Sequence, residues 1–219
     1  MHNTVQNLIA IENKIKLILS SLKINNLPKI IAVSKTFKID KILPLIEHGH
    51  IDFGENKVQE AVDKWTEIKS KNSNIQLHMI GKLQTNKVKF AVKLFDFIHS
   101  VDNEKLAKKI ADEQLKINKK IKIFIQVNIG EEDQKSGINK NAVTSLVSYC
   151  KKINLDVVGL MCIPPLNNNT SKYFKEMNLL NKNLSFSELS MGMSSDYLIA
   201  SENLATFLRI GSSIFGQRS

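Results

Sequence analysis

The chain has 219 residues and a formal net charge of +10 at pH 7, a length that suits one domain with a substantial core. It contains no run of eighteen apolar residues and no N-terminal basic stretch followed by an apolar segment, which argues against a membrane span or a signal peptide and predicts a cytoplasmic protein. Only Arg209 and Arg218 are arginines among 31 basic residues, and because arginine is preferred for bidentate phosphate and base contacts, the charge does not predict nucleic-acid binding.

The predicted elements begin with a helix over residues 5–22, where apolar side chains recur at helical spacing. Eight apolar strands separated by helices follow. The strands span residues 30–35, 51–54, 77–81, 97–100, 121–128, 157–162, 188–191 and 207–210, and the helices span 40–48, 57–71, 85–94, 103–117, 139–152, 170–184 and 194–203. This alternation is typical of a buried parallel sheet, so the sequence predicts one (β/α)8 TIM barrel domain over residues 1–219.

The last predicted strand leaves little chain for a closing helix. About nine residues follow residue 210, which is fewer than a helix of ordinary length requires. We therefore expect the N-terminal helix to cover the wall of the barrel that a final helix would otherwise cover.

Lys35 ends the first predicted strand, at the point where a buried strand surfaces into a loop. In a barrel of this type, the loops at the carboxyl ends of the strands carry the function. An amine held there between apolar walls can be partly neutral at physiological pH and can condense with an aldehyde. The alternative interpretation is that Lys35 is one more solvated lysine in a lysine-rich chain.

Two serine-containing segments follow the seventh and eighth predicted strands. Ser194 and Ser195 are expected to open a helix, where backbone N–H groups favour an anion, and Gly211 with Ser212 and Ser213 offers a second set of amides. Phosphate sites in such barrels are often built from these two loops. Taken by itself, the segment at Ser194 is equally well interpreted as an ordinary N-cap.

Arg209 and the histidines are the remaining candidates. Arg209 lies inside the last predicted strand. If the aldehyde that Lys35 captures belongs to a cofactor with a pyridine ring, an arginine next to the ring nitrogen would keep that nitrogen unprotonated, which disfavours carbanion chemistry. For His78, a hydrogen-bonded core role competes with a functional one. His48 and His50 lack a third ligand at plausible spacing, so the sequence predicts no metal site.

The two cysteines give no sign of a redox or metal site. Cys150 and Cys162 lack the Cys-x-x-Cys spacing and have no histidine nearby in the sequence. We interpret both as reduced packing residues.

Several ordered motifs resemble a known family. They are Ala32-Val-Ser-Lys35-Thr36, Phe53-Gly-Glu-Asn56-Lys-Val-Gln-Glu60, His78-Met-Ile-Gly81-Lys-Leu-Gln-Thr-Asn86-Lys87, His99-Ser-Val-Asp102, Val127-Asn-Ile129, Glu132 with Lys135 and Gly137, Gly159-Leu-Met161, Leu189-Ser-Met-Gly-Met-Ser194, Arg209-Ile-Gly211 and Phe215-Gly216. Over residues 27 to 218 the chain resembles the YggS/PROSC family of pyridoxal phosphate-binding proteins, which are similar in fold to the N-terminal barrel of alanine racemase.

The resemblance implies that pyridoxal 5'-phosphate is the cofactor and assigns it a set of residues. It implies that Lys35 is the Schiff-base lysine and that Arg209 faces the pyridine nitrogen. The phosphate is expected at Ser194, Gly211 and Ser212. The ring pocket is expected to be lined by Asn56, His78 and Met191.

Two functions remain open at this point. The family implies a protein of pyridoxal phosphate homeostasis that holds the cofactor without catalytic turnover, with pyridoxal phosphate-dependent apoenzymes as possible partners. The alternative is a racemase or a related amine-transforming enzyme. Racemisation usually needs two positioned bases, and alanine racemase-like enzymes take their second base from an additional domain and a partner subunit, so the non-catalytic function is favoured. No separate dimerisation element is recognised, and we expect a monomer.

Overall fold

A closed barrel of parallel strands forms the centre of the computed structural model, which describes residues 1–165 and 169–217. The strands are β1 (Lys29–Val33), β2 (Asp52–Glu55), β3 (Gln76–Met79), β4 (Phe97–Val101), β5 (Lys122–Val127), β6 (Asp156–Cys162), β7 (Glu188–Met193) and β8 (Phe207–Ile210). Each strand pairs with the next in chain order, and β8 closes the barrel on β1. All eight pairings are parallel, which confirms the predicted (β/α)8 barrel.

Helices surround the strands on the outside. They are α1 (Asn3–Ser21), α2 (Ile39–Glu47), α3 (Val58–Lys71), α4 (Val88–Leu94), α5 (Glu104–Lys116), α6 (Val143–Lys152), α7 (Thr170–Asn183), α8 (Tyr197–Glu202) and α9 (Ser212–Phe215). Short 3₁₀ turns at Thr85–Lys87 and Lys140–Ala142 precede α4 and α6. Of the helices in the described residues, none combines the length and the apolar character that crossing a bilayer requires.

The N-terminal helix α1 covers the wall that has no full closing helix. It packs against α2, α8 and the four-residue helix α9. Its buried apolar residues are Val5, Leu8, Ile11, Ile15 and Leu19. The Asn7 side-chain amide donates to the Ile214 carbonyl at 2.9 Å. Each fully buried aliphatic side chain contributes about 1.5–3 kcal/mol, so α1 is an integral part of the barrel, as the sequence predicts.

The barrel interior is filled by side chains that point inward from the strands. An inner cluster consists of Ile31, Val33, Phe97, Phe124, Met161 and Phe207. The larger apolar core lies between the strands and the surrounding helices. Because these side chains fill the interior, a ligand site inside the described part of the barrel has to lie at one of its two mouths and not along its axis.

The loop after β7 differs from the prediction. The helix expected to begin at Ser194 begins at Tyr197. The Asp196 carboxylate accepts a hydrogen bond from the Met193 N–H, and the Asp196 N–H donates to the Met193 carbonyl. This closed turn keeps Ser194 and Ser195 outside the helix, so they belong to the loop at the carboxyl end of the barrel.

Candidate functional site

A cleft of about 730 Å³ lies at the carboxyl ends of the strands, within the size range typical of small-molecule sites. Six of the eight residues singled out from the sequence line it. They are Lys35, Asn56, Ser194, Arg209, Gly211 and Ser212. Strands β1, β2, β7 and β8 carry these residues to one place, since the carboxyl ends of parallel strands meet at one end of a barrel.

Lys35 stands at the cleft two residues beyond the end of β1. Its side chain is half-buried, and the apolar residues Val33, Ile80, Ile163 and Met193 share the cleft with it. Apolar neighbours of this kind are expected around a lysine that condenses with an aldehyde, and that role of Lys35 stays a prediction.

The backbone on both sides of Lys35 is fixed by helix α3. The Ser34 carbonyl accepts a hydrogen bond from Lys64 Nζ at 2.9 Å, and the Thr36 N–H donates to Glu60 Oε1. Thr36 has a φ of +68°, a left-handed conformation that a β-branched residue rarely adopts. The surrounding structure must therefore hold this loop in place, and the contacts from α3 do so.

Glu55 is the buried centre of this anchor. Its Oε1 accepts hydrogen bonds from Ser34 Oγ at 2.7 Å, Lys64 Nζ at 3.0 Å and Trp65 Nε1 at 3.0 Å. The carboxylate is fully buried. Since Glu55 ends β2 and Lys64 lies on α3, the anchor connects the Lys35 loop to two neighbouring elements.

Backbone amides converge at the opposite corner of the cleft. The N–H groups of Gly211 and Ser213 both donate to Ser194 Oγ, at 3.2 Å and 3.3 Å. These are long hydrogen bonds to a neutral hydroxyl, whereas hydrogen bonds to an anionic oxygen are shorter and stronger. Two backbone N–H groups therefore converge on one point of this corner, an arrangement that is suited to an anionic oxygen.

Arg209 places a buried positive charge at the cleft. One terminal nitrogen donates to Ser190 Oγ at 2.7 Å and the other to the Cys162 carbonyl at 2.8 Å. Only 4% of the residue is exposed. Burial lowers the pKa of Arg209 from its ordinary value, but arginine stays protonated in proteins, so the guanidinium is a fixed cation.

Asn56 presents an acceptor that has no partner within the described part of the chain. Its Oδ1 is buried and accepts no hydrogen bond there. Gly81 packs directly on Asn56, and a Cβ added at Gly81 would lie 2.4 Å from the Asn56 carbonyl oxygen. An unpaired buried acceptor destabilises the fold, so this oxygen is available beside the cleft to a donor from outside the protein.

His78 lies inside the barrel beneath the cleft, which corrects the expectation that it lines a ring pocket. Side chains alternate along β3, so His78 and Ile80 face the same side, but Ile80 is nearer the carboxyl end and is the one that lines the cleft. His78 is fully buried and stacks on Phe97 with ring centroids 4.4 Å apart. Of the two roles left open by the sequence, the structure shows the core role.

Met191 also lies away from the cleft, contrary to expectation, and Met193 takes its place. Met191 is fully buried in the core between the strands and the helices. Gly192 has a φ of +91°, and the register between β7 and β8 shifts between Ser190 and Met193. This bulge changes the alternation of side chains and turns Met193 toward the cleft. A glycine inside an apolar strand was the available signal for it.

The lowered pKa values of three histidines outside the cleft predict how the stability of the fold depends on pH. Burial is the largest cause of the lowered pKa of His50, His78 and His99, and the nearby positive charge of Arg209 contributes to holding His99 well below 6.5. The unfolded chain recovers ordinary values, so below about pH 6.5 it binds more protons than the folded chain. The stabilisation is therefore fully present above pH 6.5. It is lost progressively as the pH falls from 6.5 to the pKa values that the histidines have in the folded protein.

We expect the free energy of unfolding to fall by up to about 1 kcal/mol between pH 6.5 and 5.5 for each histidine that titrates only on unfolding. Urea unfolding at pH 7.5, 6.5 and 5.5 measures this loss. His78→Gln provides the comparison, because an amide in that position cannot titrate and the slope becomes shallower. An equal free energy at all three pH values would contradict the expectation.

Features outside the cleft offer less chemistry. No group of three or more potential ligand residues is placed to hold a metal ion within residues 1–165 and 169–217. A groove of about 820 Å³ lies on the outside of the barrel near α2 and α3 and contains neither Lys35 nor Arg209. Cys150 and Cys162 are free and buried, and burial raises the pKa of both thiols to about 12, which fits their interpretation as packing residues.

Comparison with protein families gives one match over nearly the whole chain. The model of the alanine racemase N-terminal domain matches residues 6–219. The pyridoxal phosphate homeostasis protein of Aquifex aeolicus is 36% identical over 203 residues, which cover 88% of each chain. The protein of the same name from Haemophilus influenzae is 33% identical over 229 aligned positions and covers 99% of this chain and 97% of its own.

A solved structure with a bound cofactor is similar to this barrel. PipY of Synechococcus elongatus PCC7942, determined with pyridoxal phosphate bound, superposes with a TM-score of 0.81 at 32% sequence identity. The match covers 92% of this chain and 100% of PipY.

Proposed function

The chain belongs to the YggS/PROSC family of pyridoxal phosphate homeostasis proteins, built on the alanine racemase N-terminal barrel, and we propose that it holds pyridoxal 5'-phosphate reversibly through Lys35. In this role it buffers the cofactor or delivers it to pyridoxal phosphate-dependent apoenzymes, without catalytic turnover. The observation that carries the proposal is the convergence of an amine, a buried cation and a corner of backbone amides in one cleft.

Each group in the cleft matches one part of the cofactor. Lys35 Nζ forms a C=N bond with the aldehyde carbon, and the aldehyde oxygen leaves as water. Ser194 Oγ with the amides of Gly211 and Ser212 is proposed to hold the phosphate. The unpaired Asn56 Oδ1 is available to a donor on the ring. These groups follow strands β1, β2, β7 and β8, whose carboxyl ends meet at the same mouth of the barrel.

Arg209 is proposed to face the pyridine nitrogen. Its guanidinium is held by Ser190 and Cys162, and its fixed charge opposes protonation of a nitrogen placed beside it. The bound ring, when unprotonated, supplies only weak withdrawal of electrons from an attached substrate. The residue thus favours holding the cofactor over carbanion chemistry.

The racemase alternative has little support in the cleft. Among the described residues that line it, Lys35 and Arg209 are the ionisable ones, and Arg209 is unsuited to proton transfer because it stays protonated. Racemisation needs a second group that takes up or returns a proton on the other face. The cleft offers one amine for this work, which supports a non-catalytic function.

We also propose that the protein acts in the cytoplasm and as a monomer. The two free, buried thiols suit a reducing compartment and support the cytoplasm. The monomer rests on the sequence, in which no separate dimerisation element is recognised. Size-exclusion chromatography with light scattering measures the assembly state directly, and a dimeric mass would contradict this part of the proposal.

Loading and turnover can be tested in one sample. We expect purified protein to bind about one pyridoxal phosphate per chain in an absorbance titration. With L-alanine in deuterated buffer, exchange of the α-proton followed by NMR should be no faster than with free pyridoxal phosphate. Arg209→Glu should permit ring protonation and accelerate the exchange, which makes it the positive control. Rapid exchange by the unaltered protein would contradict the proposed role of Arg209 and favour the enzyme.

A further inference from the structure

A chain of hydrogen bonds crosses the barrel interior and ends at Arg209. The Asp52 carboxylate, at the start of β2, lies 3.0 Å from His78 Nε2. His78 Nδ1 lies 3.0 Å from His99 Nε2, and His99 Nδ1 lies 2.9 Å from Ser190 Oγ. Ser190 Oγ in turn accepts from Arg209 at 2.7 Å. These five residues, here called the interior relay, connect the amino-end mouth of the barrel to the cleft.

The direction of every hydrogen bond in the interior relay follows from its two ends. A carboxylate only accepts, so His78 Nε2 carries a proton and donates to Asp52. A neutral His78 then accepts at Nδ1 from His99, and a neutral His99 accepts at Nδ1 from the Ser190 hydroxyl. Since Arg209 only donates, Ser190 Oγ accepts from it. All four hydrogen bonds therefore point from Arg209 toward Asp52.

The two imidazoles are held in place and kept neutral. His78 stacks on Phe97, and His99 stacks on Phe124 with ring centroids 4.2 Å apart. Neither histidine is exposed. Burial is the largest cause that lowers the pKa of both histidines. Asp52 and Asp96 oppose this shift at His78, whereas the positive charge of Arg209 adds to it at His99. The stacked rings cannot turn over without displacing the phenylalanines.

The interior relay gives Arg209 a single set of partners. Both hydrogen bonds that it makes within the described residues end on neutral oxygens, the Ser190 hydroxyl and the Cys162 carbonyl. Along the interior relay, the nearest anion is Asp52, which is separated from Arg209 by four hydrogen bonds. Because the Ser190 proton is committed to His99, the Ser190 oxygen always has a lone pair for Arg209.

We propose that His78, His99 and Ser190 are positioning residues that, with Asp52, orient the Arg209 guanidinium toward the cofactor ring. All hydrogen bonds of the interior relay run in one direction. Asp52, at the amino-end mouth of the barrel, therefore helps to fix the orientation of Arg209 at the cleft. This role rests on the proposed function, because it assigns Arg209 to the pyridine nitrogen. The direction of the hydrogen bonds is independent of any cofactor.

The direction can be measured in protein free of pyridoxal phosphate. Long-range ¹H–¹⁵N spectra of uniformly labelled protein distinguish protonated from unprotonated ring nitrogens. We expect His78 and His99 to carry their proton on Nε2 and a lone pair on Nδ1 throughout pH 6.5 to 9. A proton on Nδ1 of either ring, or a charged ring in this range, would overturn the inference whatever the protein binds.

The effect on Arg209 is measured with a matched pair of serines. Ser190→Ala removes the acceptor from Arg209, whereas Ser100→Ala removes a buried hydroxyl that makes no hydrogen bond within the described residues. From the usual strength of a hydrogen bond to a charged group, we expect Ser190→Ala to lower the affinity for pyridoxal phosphate about tenfold. Ser100→Ala should change the affinity less than twofold. The ring absorbance of the Ser190 variant should also titrate at a different pH.

A second pair separates positioning from simple packing. His99→Gln retains one donor and one acceptor, and His99→Leu retains neither. We expect Gln to recover most of the affinity and the native absorbance titration, while Leu behaves like Ser190→Ala. Equal losses for Gln and Leu, or for the two serine variants, would overturn the positioning role. If the unaltered protein binds no pyridoxal phosphate, the proposed function fails with the positioning role, and the NMR result still decides the direction of the hydrogen bonds.

Discussion

Replacement of Lys35 by alanine is expected to abolish covalent capture of pyridoxal phosphate. After incubation with the cofactor and reduction by borohydride, peptide mass mapping of the unaltered protein should find a pyridoxyl adduct on Lys35. The Lys35→Ala variant should show no adduct and no imine absorbance, because Lys35 is the one lysine among the described residues that line the cleft. Its affinity should fall by about a hundredfold or more, with residual binding through the amides near Ser194 and Gly211.

Lys38→Ala is the matched control for this experiment. Lys38 is an exposed lysine three positions further along the same loop, and its side chain does not line the cleft. We expect full adduct formation at Lys35 in this variant. An unchanged imine band in Lys35→Ala, or an adduct that maps to another lysine in the unaltered protein, would refute the assignment of Lys35.

Replacement of Lys64 by methionine is expected to destabilise the fold by about 3 kcal/mol. Lys64 is 11% exposed and bonds to the fully buried Glu55 at 3.0 Å. Methionine keeps most of the packing volume but leaves a buried carboxylate without its counter-charge, and breaking such a pair costs about 3–5 kcal/mol. The Glu55 Oε2 has no partner among the described residues, so the remaining donors all act on the other oxygen. Urea unfolding at pH 7.5 measures the loss.

Lys71→Met tests the same change on the surface of the same helix. Lys71 pairs with Glu67 across one turn of α3, but the two side chains are 70% and 80% exposed. Exposed pairs of this kind contribute little to stability because solvent screens them, so this variant should be nearly as stable as the unaltered protein. Similar losses for both variants would contradict the idea that burial makes the difference.

Lys64→Met should also weaken cofactor binding, since Lys64 holds the Ser34 carbonyl next to Lys35. Loss of this hydrogen bond frees a loop whose Thr36 already has a strained backbone conformation. The measurement is a pyridoxal phosphate titration at a temperature where the variant is still folded. Lys71→Met should bind like the unaltered protein.

Much of the fold could be predicted because it depends on local pattern. Apolar runs alternating with amphipathic segments identified all eight strands, and helical spacing identified α1 as the cover of the open wall. Strand ends are also local features, and once the barrel is recognised they bring Lys35, Arg209 and Gly211 to one cleft. The residue-by-residue assignment to the cofactor came from the family resemblance and stays a proposal.

The remainder could not be predicted because it depends on contacts between distant parts of the chain. Whether Met191 or Met193 faces the cleft is decided by the bulge at Gly192, where the pairing of β7 with β8 shifts. His78 finds its partners 26 and 21 residues away, and His99 finds Ser190 91 residues away.

The sequence by itself thus determined the barrel, the order of its elements and the residues at the strand ends, because periodicity and strand termination are properties of neighbouring residues. Only the tertiary structure decided which side chains meet and in which direction their hydrogen bonds run. Closure of the barrel brings together groups that no local pattern connects, and burial then fixes their protonation.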